Sequence, residues 1–117
     1  MTLDWEQGTL AEGLACYRRQ DFFATHEHWE SVWVRAAEPE KTFLQALIHV
    51  SVGMHHQQSG NAVGARRQLA RALRKLAPYP AEFGGVRVEA LRKDIGAWLQ
   101  ALEAGKPVPS LAFPKIR

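Results

Sequence analysis

Apolar residues recur three and four positions apart along most of this chain, the period of helices that bury one face. Five such runs stand out, at residues 9–19, 22–36, 39–58, 62–77 and 88–104. The first carries Leu10, Leu14 and Tyr17 on one side. Asp21 stands where a side chain accepts from the unpaired amides that open the second run. Pro39 suits the first turn of the third, where its missing N–H costs nothing, and Ser59-Gly60-Asn61 stops that run. The third run is apolar around most of its circumference, through Phe43, Leu44, Leu47, Ile48, Val50, Val52 and Met54. A helix of that kind belongs at the centre. The fourth sets Ala65, Leu69, Ala72, Leu73 and Leu76 against a basic face of Arg66, Arg67, Arg71, Arg74 and Lys75. Pro78 and Pro80 end it, and residues 79–85 are expected to form a loop. The fifth buries Leu91, Ile95, Trp98, Leu99 and Leu102, with Gly105 as its C-terminal cap. No stretch alternates like a strand. The prediction is an all-α, compact bundle of about five helices: one domain at residues 1–105, opened by a short lead at 1–7. Residues 106–117 form a proline-rich tail, expected to lie extended on the bundle through Leu111, Phe113 and Ile116.

Two polar interruptions of the apolar faces mark candidate chemistry. In FFATHEHWESVW, a projection at 100° per residue puts Phe22, His26, Trp29 and Trp33 on one stripe, with Glu30 on its flank. Phe22, Trp29 and Trp33 are therefore expected to be nearly inaccessible, His26 and Glu30 mostly buried, and Glu27 and His28 exposed. On the third helix Gln45, His49, Val52 and His56 fall at i, i+4, i+7 and i+11. Buried polar groups need partners. The simplest expectation is one polar cluster in which His26 and Glu30 meet Gln45 or His49 inside the bundle.

Residues forty apart also correspond: Gly13 with Gly53, Cys16 with His56, Thr25 with Ala65, Trp29 with Leu69 and Val32 with Ala72. The second copy approaches the helical-hairpin signature of tetratricopeptide repeats. Two copies are too few for a solenoid, so the reading is two stacked helical hairpins plus a C-terminal helix.

Charge sharpens this picture. The net +3 divides unevenly. Residues 1–40 hold three basic and eight acidic residues, net −5, and residues 41–117 hold twelve and four, net +8. No nucleic-acid motif accompanies the basic half. The plainer account is that the halves pack together and partly neutralise each other, and sequence-specific nucleic-acid binding is not expected of Arg67, Arg71, Arg74 and Lys75. One cysteine, Cys16, forms no internal disulfide and suits a reducing compartment. The opening MTLDWEQ lacks the basic and apolar start of a signal peptide, and the longest uncharged stretch, 42–65, is too polar to span a membrane. A cytoplasmic protein is expected, without a membrane role.

The segments FFATHEHWESVW, QALIHVSVGMHH, GNAVGARRQLARALRKL and the following YP resemble domain-of-unknown-function family 309, small all-helical bacterial and archaeal proteins. The resemblance covers residues 13–105. It implies a compact helical bundle and supplies no activity.

Three readings of the polar residues remain. His26, Glu30, His49 and His56 are the ligand types for zinc or another divalent ion, the one cofactor the chain invites. HEHWE is not the HExxH motif, because the residue four after His26 is Glu30. General acid–base catalysis by His26 and Glu30, with helix-three His and Gln residues, is the alternative enzyme reading. No nucleophile elbow, phosphate loop or cofactor motif accompanies it. The preferred reading is a binding module with a site at His26, Glu30, Trp33, Gln45 and His49, whose partner is a small molecule, a protein or a second copy of the chain.

Overall fold

The five runs fold as five helices in a computed structural model that describes residues 3–105 and 112–117. They are α1 (Gly8–Arg18), α2 (Phe22–Trp33), α3 (Glu40–Gln58), α4 (Ala62–Leu76) and α5 (Val88–Glu103). α1 pairs with α2 and α3 with α4 as two hairpins; α2 then packs on α3, and α5 on α4. α2 is shorter than its apolar pattern. The amides of Arg35 and Ala36 donate to Val32 and Trp33, three residues back, and this tighter winding closes the helix.

The forty-residue correspondence is visible in the hairpin turns. After α1 the amide of Gln20 donates to Tyr17 O and that of Asp21 to Cys16 O, both at 2.9 Å. After α3 the amide of Gly60 donates to Gln57 O at 3.1 Å and that of Asn61 to His56 O at 2.8 Å. Both are Schellman closures, which require a left-handed residue at the first position past the cap. Gln20 and Gly60 fill it at φ 65 and 77. The next residue then caps the next helix. Asp21 Oδ1 accepts from the Ala24 amide at 3.3 Å, and Asn61 Oδ1 from the Gly64 amide at 2.9 Å. Within each hairpin a glycine of the first helix receives a large residue of the second. A Cβ on Gly13 would lie 2.5 Å from Trp29 Cδ1, and one on Gly53 would lie 3.1 Å from Leu69 Cγ.

The core runs through the middle of α3, where Phe43, Leu44, Ala46, Leu47 and Val50 are fully buried. Trp29 of α2 is equally inaccessible, stacks on Tyr17 and donates its indole N–H to Leu10 O at 3.2 Å. Two features depart from the pattern-based expectation. The lead is not a mere lead. Leu3 and Trp5 belong to the core, and the Trp5 indole donates to Gly84 O at 2.7 Å. The loop before α5 contains a two-residue antiparallel ladder, β1 (Glu82–Phe83) with β2 (Val86–Arg87). Gly84 and Gly85, at φ 56 and 80, make the left-handed turn that a two-residue hairpin demands.

Residues 112–117 lie in irregular backbone against α1 and α5. The Trp98 indole donates to Ala112 O at 2.8 Å, the Tyr17 hydroxyl donates to Pro114 O, and the Lys115 amide donates to Asp94 Oδ2 at 3.1 Å. Ile116 enters the core. The remainder of the expected tail, 106–111 with Leu111, lies outside the described residues. Burial, with the nearby Asp94 charge, pushes the Tyr17 phenol well above its ordinary value.

Candidate functional site

α3 is flanked by α2 on one side and α4 on the other, and between its two ends the residues that reach solvent form one strip. That strip is the one singled out by periodicity. Gln45, His49, Val52 and His56 are half-buried, while Leu44, Leu47, Ile48, Val50, Ser51 and Met54 beside them are buried. The half-exposed strip is the floor of an open groove.

The α2 wall carries Phe23, His26 and Glu30. His26 Nε2 lies 2.6 Å from Glu30 Oε2, and their side chains are 29% and 51% exposed. Glu30 is thus a surface residue, contrary to the expected burial. The buried arc of α2 is centred on Phe22, Thr25 and Trp29, and Glu30 falls outside it. Trp33 is half-buried rather than inaccessible, with Lys41 Nζ 4.8 Å from its ring centroid. Its indole N–H is sealed from solvent without a described partner. A cleft of about 140 Å³ between the helices is lined by Phe22, Phe23, His26, Val52 and His55. Phe23 lies 5.5 Å from the His55 ring. Phe23 and His55 went unnoticed in the sequence, where their outward positions on each helix hid them.

The α4 wall is built differently. His49 Nδ1 lies 2.8 Å from Gln68 Oε1 of α4. With that oxygen accepting, the proton sits on Nδ1 and Nε2 is left as an acceptor. Burial lowers the His49 pKa, the Gln68 hydrogen bond opposes that shift, and the charges of Lys75, Arg71 and Arg74 reinforce it. Neutral imidazole is therefore favoured. Arg71 and Lys75 follow Gln68 at i+3 and i+7, along the same edge. Arg67 and Arg74 turn further outward.

The expected cluster does not form. His26 and Glu30 satisfy each other on α2, whereas His49 is satisfied from α4 by Gln68, a residue the sequence reading passed over. Gln45 is half-buried on the α3 strip. His56 Nδ1 is 3.4 Å from Asn61 Nδ2, within its own hairpin turn. The metal set His26, Glu30, His49 and His56 is accordingly not assembled. Among the described residues no group of three or more His, Cys, Asp or Glu side chains converges to hold a metal ion. Nor is any described helix long and apolar enough to cross a membrane.

A family model described as "Domain of unknown function (DUF309)" matches residues 10–68, from α1 into α4, including both Schellman turns and the whole groove floor. An "Uncharacterized protein" of Aquifex aeolicus is 28% identical over 109 residues, covering 92% of this chain. The chain spans about a third of that relative's length, since the aligned part is 32% of it.

Proposed function

The chain belongs to the family described as a domain of unknown function (DUF309), and from that premise we propose that it is a protein-interaction module. Its recognition surface is the groove floored by α3, and its ligand is an acidic amphipathic segment. One observation carries this reading. A strip of hydrogen-bonding side chains, Gln45, His49 and His56, stays open between an aromatic wall at Phe23 and a cationic edge at Arg71 and Lys75. Neither cation has an ion pair among the described residues. A segment with apolar residues on one side and carboxylates on the other complements both walls at once.

The test is a chemical-shift titration of labelled protein with a synthetic amphipathic peptide of leucine and glutamate at helical spacing. Its glutamine analogue serves as control. Perturbations are expected at Gln45, His49, Val52, Gln68, Arg71 and Lys75, with little response to the analogue. Scattered perturbations, or none at about millimolar peptide (roughly 4 kcal/mol of binding), refute the reading.

A further inference from the structure

We infer that a second copy of this chain supplies the acidic partner surface, so that two copies join through the α2–α3–α4 face about a two-fold axis parallel to α3. This deepens the interaction-module reading and rests on it. The outer ridge of α2 has the required chemistry. Phe23, Glu27, Glu30 and Val34 stand at i, i+4, i+7 and i+11 on it. Phe23 and Val34 are 53% and 56% exposed, two of the three large hydrophobics left on the described surface. The ridge therefore carries two half-exposed apolar ends and two central carboxylates, with Glu30 paired to His26 within its own helix. A shallow depression of about 350 Å³ along it is lined by His26, Glu27, Glu30, Ser31 and Val34.

The basic partner surface is on the same face and at the same height. Phe23 of α2 meets His55 of α3 at 5.5 Å, and Trp33 meets Lys41 at 4.8 Å. Spaced evenly between those two contacts, Glu30 falls near the level of Gln45 and Glu27 near that of His49. Gln68 of α4 is fixed at that level by its 2.8 Å contact with His49, and Arg67 and Arg71 straddle Gln68. A two-fold axis parallel to α3 preserves height and exchanges left with right. It sets the carboxylates of one α2 against the guanidinium groups of the partner's α4, and repeats the match on the other side. The interface is self-complementary, as a closed dimer requires. The two α3 strips then face each other across the interface.

Analytical ultracentrifugation across a concentration series tests this with three proteins: the wild type, Glu27→Lys/Glu30→Lys and Arg67→Glu/Arg71→Glu. The wild type is expected to dimerise, more weakly as salt is raised. Each variant is expected to be monomeric, its dissociation constant raised at least about tenfold by like charges facing each other. Mixing the two variants is expected to restore a dimer, because only the mixed pair is complementary on both sides. Circular dichroism checks that each variant is folded. A monomeric wild type overturns the dimer, and the groove reading then stands or falls by the peptide titration alone. A wild-type dimer that survives either reversal, or variants whose mixture stays monomeric, overturns it as well.

Discussion

Exchanging the residues at the two Schellman turns should move stability in opposite directions. Gln20 and Gly60 occupy the same left-handed position in congruent turns, at φ 65 and 77. A side chain there costs about 1–2 kcal/mol. Glycine loses about 0.4–1 kcal/mol of that advantage through the greater entropy of its unfolded chain. The difference predicts that Gln20→Gly stabilises by about 0.5–1 kcal/mol and that Gly60→Gln destabilises by a similar amount. Side-chain contacts do not cloud the comparison. Gln20 is exposed, the bond it receives from Gln58 Nε2 goes to its backbone carbonyl at 2.9 Å, and a Cβ at Gly60 would meet nothing within 4 Å. At about 2.1 cal/mol/K of unfolding entropy per residue, these energies correspond to shifts of roughly 2–4 °C in Tm. Thermal unfolding followed by circular dichroism, with urea midpoints as a check, measures both. A Gln20→Gly protein melting below the wild type, or a Gly60→Gln protein melting with it, would refute the congruence of the turns.

Gly13→Ala should lower the urea midpoint by the equivalent of about 1–3 kcal/mol, because its methyl intrudes on the Trp29 indole; Gly96→Ala, with open space around it, should raise stability by about 0.5–1 kcal/mol. Trp5→Ala should cost about 3–5 kcal/mol, and a loss under about 1 kcal/mol in calorimetry would show that the N-terminal segment is not part of the core. Because the His49 pKa is lowered in the fold, its contribution to stability is full above the unfolded value of 6.5 and is lost as pH falls toward and through the folded value. Denaturant titrations on both sides of pH 6.5 should show that loss in the wild type, and a smaller one in His49→Gln.

The helices and their order were legible because each has an apolar run of helical period bounded by a capping residue or proline. Asp21, Asn61 and Ser59-Gly60 state the turns in residue chemistry alone. The site was half legible. The strip Gln45, His49, Val52 and His56 emerged from periodicity on α3. Its partner did not, since a projection of one helix cannot tell which neighbour lies beside a given edge, and Gln68 is one amide among many arginines. Glu30 was misplaced because His26 and Trp33 drew the apparent buried stripe toward it, whereas Thr25 and Trp29 mark the true centre. The lead escaped notice because Leu3 and Trp5 are too few to establish a period. The Gly84-Gly85 pair, between Phe83 and Val86, was the available signal for the small ladder.

The closing segment bears on how the molecule comes apart. Two hairpins with mostly local contacts resemble a linear array, in which each unit can open while its neighbour persists. Residues 112–117 and the N-terminal segment change that connectivity. Arg117 pairs with Glu6 at 2.9 Å and donates to Gly85 O at 3.2 Å, while Pro114 and Phe113 seat on Tyr17 beneath the first hairpin. The first hairpin is thereby tied to α5 as well as to α3, and the stack becomes a ring. Neither hairpin can fray from its end without breaking the tie, so the ring should lose its structure as one cooperative unit rather than helix by helix.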